Sequence, residues 1–264
     1  MTKTVFYVIV VQVLFGTRLF CQHTTISPKN KNEREPATLH KALIIPFEPR
    51  LYMSEIDMSI NAETRLSAKE IKYKFRDGLN EQLFKAFKQA GYNALDLMDD
   101  TAKYKKDLDG IYQHLNYDFQ KVPNQENYKA PVKEKEQKKI EKGQINIESR
   151  DQDRFMNAKI TNPKIVPILN GKYKTDIFVF VNQLDIKAVG YKAPGDLGDG
   201  NVNRKIIVHY TVYTLDAREI NSGIAEEEFD PSVNTPKKII DKHFSKIALT
   251  VVERVSKALV SPAR

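Results

Sequence analysis

Histidines are the first side chains to examine, because they bind metals and transfer protons near neutral pH. The chain has five, namely His23, His40, His114, His209 and His243. A metal site on one helix needs two ligands three or four residues apart, and no two of these histidines have that spacing. His209 lies in a β-branched and aromatic run, where we expect a partly buried ring with satisfied nitrogens. The sequence therefore predicts no metal site.

Two glycine-containing loops match ligand-binding motifs only in part. A phosphate loop ending at Gly171-Lys172 needs a second glycine five residues earlier, and Val166 stands there. The aspartates of segment 195–201 do not keep the alternate spacing of a calcium loop. The chain also lacks a Gly-x-Ser-x-Gly nucleophile motif. We therefore expect no cofactor and no nucleophile of these types.

Three consecutive acids, Glu226, Glu227 and Glu228, fall in a predicted return strand of a hairpin. Charges on an exposed edge strand deter pairing with other chains, which is one interpretation. The other is an acidic edge on which a partner docks. Carboxylate pairs of the glycosidase type can come from any part of a fold, so a secreted hydrolase remains the alternative function.

Arg50, Tyr52 and Met53 follow the first predicted strand in what we expect to be a loop. Ligands of open α/β sheets commonly bind at the carboxyl ends of strands. Arg and Tyr are enriched at protein-contact hot spots, and Met adapts to irregular surfaces. These residues are the predicted binding surface, although they could instead only cap the end of the sheet.

The amino-terminal residues 1–21 have the composition of a signal peptide, with Lys3 before an apolar run of about a dozen residues, too short to span a membrane. Cys21, the single cysteine, precedes Gln22. We expect cleavage after Cys21, which gives an exported, periplasmic protein that does not span the membrane. The alternative is an outer-membrane lipoprotein with Cys21 lipidated, but Phe20 is bulkier than the small residue expected before a lipidated cysteine.

Two segments are too polar to form a core. Residues 22–38 predict a flexible leader, and residues 120–153, with the run KEKEQKKIEK, predict a charged insertion. The net charge of +8 is spread through mixed lysine and glutamate stretches. Outside the cytoplasm this excess favours an envelope protein or an anionic cell-wall or lipid surface as partner, rather than nucleic acid.

Residues 39–260 predict one mixed α/β domain, with a mixed β-sheet flanked by helices and interrupted by the insertion. Ser67 and Glu70 form a capping box before an apolar stripe that ends at Gly91. The first strand should be parallel to a neighbour through this helix. The predicted strands are 39–47, 92–98, 176–188, 206–215 and 224–229, and the predicted helices are 68–90, 99–117 and a terminal one after Thr235-Pro236.

Three segments resemble the periplasmic domain shared by penicillin-binding protein activators, curli-secretion lipoproteins and the amino-terminal domain of the Tol translocation protein. They are the strand KALIIPF at 41–47, the capped helix 67–91, and VHYTVYTLDA at 208–217. The poor lipidation motif and residues 119–155 depart from that family's pattern. The resemblance implies a non-enzymatic periplasmic accessory module of a cell-envelope machine, either an activator of a peptidoglycan synthase or a secretion or outer-membrane assembly factor. The alternative stays a hydrolase of cell-wall or glycan material.

Overall fold

A computed structural model of the chain describes residues 40–121, 154–189 and 203–260. The predicted signal peptide, Cys21, the leader and nearly all of the predicted insertion lie outside the described residues. The strands are β1 (Lys41–Ile45), β2 (Tyr52–Ser54), β3 (Asn93–Asp96), β4 (Leu115–Lys121), β5 (Arg154–Ile160), β6 (Ile177–Val189), β7 (Asn203–Thr214) and β8 (Glu219–Phe229). The α-helices are α1 (Asp57–Thr64), α2 (Ala68–Gln89), α3 (Thr101–Gln113), α4 (Ile165–Tyr173), α5 (Pro236–Ile239) and α6 (Ser245–Val260).

The central sheet is mixed, as the alternation of elements predicts. Its strands lie in the order β3-β1-β6-β7-β8, and β2 pairs with β6 beyond the end of β1. β1 is parallel to β3 and to β6, while β6, β7 and β8 form an antiparallel meander. Helix α2 makes the crossover from β1 to β3. The predicted fold class, a mixed α/β domain with helices flanking one mixed sheet, is therefore confirmed.

The first face of the sheet is covered by α2 and α6. The Ser67 hydroxyl accepts a hydrogen bond from the Glu70 N–H, and the Glu70 carboxylate accepts one from the Ser67 N–H, which completes the predicted capping box. Leu79 and Leu83 are buried in one core with Ile44 and Val208. We call this face the helix face.

Phe178, on β6, does not belong to the core of the helix face. Phe178 lies in a second core on the opposite face of the sheet, with Leu43, Phe180 and Tyr213. The reason is the two-residue period of a strand, which points Phe178 away from Val179. We call this opposite face the ribbon face.

The ribbon face is covered by α3, α4 and a two-stranded antiparallel ribbon of β4 and β5. The free backbone edge of β5 lies against side chains of the sheet. Met156 N–H donates to Nδ1 of His209, and Ala158 N–H donates to the Thr211 hydroxyl, at 2.9 and 3.1 Å. Asn182 donates to the Met156 carbonyl oxygen and Tyr213 donates to the Ala158 carbonyl oxygen, both at 2.8 Å. Polar side chains of the sheet thus provide hydrogen-bond partners for the backbone groups along a buried strand edge.

Several predicted boundaries differ from the structure. Tyr52 and Met53 belong to the short strand β2 and not to a loop, and the return strand β8 begins at Glu219 rather than at 224. Helix α3 ends at Gln113, since residues 115–121 form β4. Gln120 and Lys121, placed in the insertion, therefore belong to the ribbon. The sequence did not indicate β5 or α4.

Candidate functional site

The carboxyl end of β1 is where the two layers of helices meet. Arg76, on α2, donates from Nε to the Phe47 carbonyl oxygen at 2.6 Å and from Nη2 to the Tyr112 hydroxyl at 2.9 Å. Tyr112, on α3, donates its hydroxyl to the Pro46 carbonyl oxygen at 2.6 Å. Arg76 and Tyr112 thus bridge the helices across the end of the strand and occupy the backbone carbonyls there.

Arg50 and Glu48 lie beside this bridge. The Arg50 guanidinium donates from Nε and Nη2 to the two oxygens of Glu48, at 2.6 and 3.3 Å. The Arg50 side chain is 72% exposed, whereas that of Glu48 is only 13% exposed. Arg50 therefore covers a carboxylate that is largely enclosed by protein.

Tyr52 is more deeply buried than we expect of a residue on the predicted binding surface. Its hydroxyl donates to Asp57 at 2.6 Å, and its ring lies 6.2 Å from that of Phe75 in the core. Burial, with the bond to Asp57, raises the pKa of Tyr52. Lys72 of α2 lies over the outer side of the same ring, with Nζ 6.0 Å from its centre. Tyr52 is thus held in place by Asp57 and the core, and the partly exposed Lys72 lies beside it.

Met53 points to the other face of the sheet. Its side chain is 57% exposed, and its sulfur accepts a hydrogen bond from the Gln183 amide at 3.5 Å. The structure therefore brings Arg50 and Tyr52 together with Lys72 and Arg76, and it separates Met53 from them. We call Glu48, Arg50, Tyr52, Lys72 and Arg76 the carboxyl-end surface.

Two cations of the carboxyl-end surface have no opposite charge bound to them. Neither Lys72 nor Arg76 makes an ion pair with any residue in the described ranges, although both are partly buried. A partly buried charge without a counter-charge is unfavourable, and the cost falls when an anion binds. This arrangement suits recognition of negatively charged groups.

The tyrosines around Glu48 are held in their neutral, donating form. Burial raises the pKa of Tyr112 to about 12, even though the charge of Arg76 opposes that shift. Burial, together with the charge of Glu48, also raises the pKa of Tyr117 on β4. Neither hydroxyl therefore ionises near neutral pH, and the positive charge of Arg76 is not cancelled by a phenolate.

The three acids of the predicted docking edge are distributed over both sides of β8. Glu226 and Glu228 both lie near Lys205, at 3.5 and 3.3 Å. Glu227 faces the opposite side, where Nδ1 of His243 lies 3.3 Å away and Lys246 lies 2.5 Å away. β8 is an edge strand, as expected, and basic partners from the neighbouring strand and helix compensate its acids.

His209 has a structural role rather than that of a free base. Its ring is 4% exposed, and Nδ1 accepts the Met156 N–H, so the neutral ring carries its proton on Nε2. Nε2 faces Asp185 at 3.6 Å and makes no hydrogen bond in the described residues. Burial opposes ionisation of Asp185, but His209 and Gln183 outweigh it and lower its pKa. The expectation that both ring nitrogens are satisfied holds for Nδ1 alone.

A second candidate lies at the opposite, amino end of β1. Nδ1 of His40 lies 2.6 Å from one oxygen of Asp176, and the other oxygen accepts the Lys41 N–H at 2.6 Å. The pair opens into a cleft of about 320 Å³ that Ile177, Thr214, Leu215, Asp216 and Leu259 also line. A carboxylate on Nδ1 of a partly exposed histidine ring is an arrangement seen in general bases.

A third polar cluster lies at the carboxyl end of β3. Asp96 is 8% exposed, and its Oδ1 accepts hydrogen bonds from the Asn80 amide at 2.7 Å and the Met98 N–H at 2.8 Å. Burial raises the pKa of Asp96 to about 6. Burial and the charge of Glu81 also raise the pKa of Asp77 on α2. These acids keep their protons to higher pH than ordinary surface carboxylates.

Within the described ranges, no three His, Cys, Asp or Glu side chains converge as ligands of a metal ion. No helix among the described residues is long and apolar enough to cross a membrane. Cys21, the predicted alternative site of lipidation, lies outside those residues.

Comparisons with known proteins add little to this geometry. No protein family and no curated protein matches the chain. Among solved structures, a hypothetical protein from Chlamydia trachomatis is similar over 83% of this chain and 99% of its own length, with 10% sequence identity and a TM-score of 0.35. A likeness at this level carries no functional inference, so the function has to be proposed from the site itself.

Sequence reasoning found Arg50 and Tyr52 but missed Lys72, Arg76 and Tyr112. The sequence contained one signal for Lys72 and Arg76. Lys69, Lys72 and Arg76 are spaced three and four residues apart, which places them on one side of the capped helix. The contact of Arg76 with Tyr112 joins residues of two different helices, and no local pattern indicates it.

Proposed function

We propose that the chain is a non-enzymatic accessory module of a bacterial cell-envelope machine and that it binds a protein partner through the carboxyl-end surface. The observation that supports this most is the pair of partly buried cations, Lys72 and Arg76, without a counter-charge at the carboxyl end of β1. Such a surface is rigid, because hydrogen bonds to the Phe47 carbonyl oxygen and to the Tyr112 hydroxyl hold Arg76 in place. Rigid groups lose little conformational entropy on binding.

The envelope location rests on the composition of residues 1–21 and on the resemblance to periplasmic domains. Activation of a peptidoglycan synthase and assembly of a secretion or outer-membrane apparatus are the two roles that the resemblance implies. Intact-mass measurement of the protein from its native host tests the location. A chain that begins at Gln22 supports export with cleavage, whereas acyl groups on Cys21 support the lipoprotein alternative. A chain that retains Met1 contradicts both.

Partner binding is tested with a charge-removing pair of substitutions and a matched control. Arg50→Ala with Lys72→Ala removes two cations of the carboxyl-end surface, and Lys105→Ala with Lys106→Ala removes two exposed cations from α3. Partners are cross-linked in the native host to the tagged wild type and to both variants, and are quantified by mass spectrometry. We expect the first variant to lose about 2 kcal/mol of binding free energy, roughly 30-fold, to one envelope protein.

The control variant should capture that protein as well as the wild type does and should keep the wild-type melting temperature. Arg50→Ala leaves the enclosed Glu48 carboxylate without its ion-pair partner, so the melting temperature of the first variant is measured to show that it is folded under the cross-linking conditions. Equal capture by the folded Arg50 and Lys72 variant would exclude the carboxyl-end surface. The next surface to test is then the edge strand at Glu226, Glu227 and Glu228.

The hydrolase alternative is favoured by one observation, the His40–Asp176 pair in its cleft. Cell-wall or glycan hydrolysis would need His40 Nε2 as a base. The purified protein is incubated with peptidoglycan, and soluble fragments are measured for the wild type and for His40→Ala. Our proposal expects no release by either protein. Release by the wild type that His40→Ala abolishes would establish the hydrolase instead.

A further inference from the structure

We infer that the partner segment recognised at the carboxyl-end surface is an acidic stretch of protein, and that one of its carboxylates binds between Arg76 and Arg50. This inference rests on the proposed binding function and names the chemistry of the partner. It follows from the charges around the end of β1, from the unused donors of Arg76, and from the rigidity of the groups involved.

The charges at the end of β1 do not balance. Two guanidiniums, Arg50 and Arg76, lie around a single ion-paired carboxylate, Glu48, and Glu48 is already bonded through both oxygens to Arg50. Tyr112 and Tyr117 stay neutral, since burial raises the pKa of both. With Lys72 and with Asp57, which accepts the Tyr52 hydroxyl, counted as well, three cations stand against two carboxylates, so the site is one negative charge short.

The N–H groups of Arg76 that make no hydrogen bond within the protein indicate which chemical group can bind at this surface. Nε and Nη2 donate to neutral oxygens, those of Phe47 and Tyr112. Nη1 makes no hydrogen bond in the described part of the chain and is not among the buried atoms without a partner, so it faces solvent. A guanidinium with an outward N–H₂ group and no counter-ion is suited to a carboxylate oxygen, and charge-assisted bonds of this kind are about twice as strong as neutral ones.

Neighbouring cations extend the site beyond a single carboxylate. Lys69 and Lys72 lie on the same side of α2 as Arg76, two turns and one turn before it respectively, and neither makes an ion pair with a described residue. Three cations in a row along a helix, with Arg50 beside them, match a segment that carries several acids. A small anion would engage only one of them.

Fluorescence anisotropy with a labelled hexaglutamate peptide tests the inference, with hexaglutamine as the uncharged probe. We expect the full chain to bind hexaglutamate at least tenfold more tightly, and Arg76→Gln to remove about tenfold of that affinity. Arg76→Lys keeps the charge and should recover part of the loss. Lys105→Gln, on α3, is the control for net charge and should change the affinity less than twofold.

Three results would overturn the inference. One is equal binding of both peptides. Another is equal weakening by Arg76→Gln and Lys105→Gln, which would show attraction to net charge alone. Sedimentation with phosphatidylglycerol vesicles, lost in Arg76→Gln while the peptides do not bind, would assign the surface to a membrane and likewise overturn it.

The cross-linking experiment separates this inference from the proposed function. If hexaglutamate does not bind but the partner is still lost from the Arg50 and Lys72 variant, the partner's chemistry is wrong and the binding role stands. If the folded variant also keeps its partner, the proposed binding surface fails as well. The melting temperature of Arg76→Gln is measured in parallel, because this substitution also removes the bond to the Phe47 carbonyl.

Discussion

The two faces of the central sheet are closed by different physical means. On the helix face, apolar side chains of α2 and α6 pack on those of the sheet, and burial of apolar surface provides the driving force. On the ribbon face, α3 and α4 cover the apolar part, and beside them four hydrogen bonds between sheet side chains and the backbone of β5 hold the edge of that strand. Shape and area matter most on the first face, and donor and acceptor positions matter most on the second.

This difference gives the buried polar residues of the sheet a structural role. Asn182, His209 and Thr211 are at most 5% exposed, a pattern that often marks catalytic groups. Here they pair with the backbone of Met156 and Ala158, which would otherwise be buried without partners. At the end of β1, Arg76 also bonds to a backbone carbonyl, but neither Arg76 nor Lys72 has an ion-pair partner among the described residues, so their charges are available for binding.

The largest expected effect is a cavity on the helix face. Leu83→Ala removes a side chain that is 1% exposed, so it should lower the free energy of unfolding by about 2 to 5 kcal/mol. Urea denaturation measures this loss. Leu249→Ala on α6, where the side chain is 54% exposed, is the control and should cost less than about 0.5 kcal/mol. A loss below about 1 kcal/mol for Leu83→Ala would show that the face is less tightly packed than described.

A pH-dependent effect is expected at the rim of the same face, where Asp96 bonds to Asn80 of α2. Burial raises the pKa of Asp96 to about 6, so the folded state holds this proton to higher pH than the unfolded chain does. Stability therefore falls as the pH rises from about 4 to about 6. Asp96→Asn keeps an acceptor oxygen and has no proton to lose. Its unfolding free energy relative to the wild type should rise by about 2 to 3 kcal/mol between pH 4 and pH 7.5.

Urea titrations of both proteins at the two pH values measure that change. A difference between Asp96→Asn and the wild type that does not vary with pH would mean that Asp96 ionises as an ordinary surface carboxylate.

A smaller loss is expected on the ribbon face. His209→Leu removes the acceptor for the Met156 N–H and leaves that buried donor without a partner, at a cost of about 1 to 3 kcal/mol. Amide hydrogen exchange provides the specific measurement, because the Met156 and Ala158 amides should exchange faster while those of β1 do not change. Uniformly faster exchange across the sheet would show that His209 supports the whole fold and not the ribbon edge alone.

Elements set by local pattern could be predicted from the sequence, whereas those that depend on contacts between distant residues could not. The capping box, the stripe of α2, β1, β6 and β7 follow from local pattern, because each element buries an apolar face at its own period. β5 was missed because Arg154–Ile160 mixes charged, amide and apolar residues and pairs with a strand distant in sequence. In the candidate site, Arg50 and Tyr52 follow from their place after β1. Arg76–Tyr112 depends on a tertiary contact that no sequence period encodes.

The smallest effect is expected from replacing residues 122–153, which carry the charged run of the predicted insertion. Lys121 and Arg154 are directly opposite each other in the antiparallel ladder of β4 and β5. A turn of a few glycine and serine residues can therefore join them as a hairpin without moving either strand. A shorter loop also costs slightly less entropy to close, which offsets small losses. We expect the melting temperature of the shortened chain to stay within a few degrees of the wild-type value, with the Met156 amide still protected. Cooperative unfolding at a much lower temperature would show that the replaced residues contribute to the ribbon face, which would then be held by more than the side-chain bonds to β5.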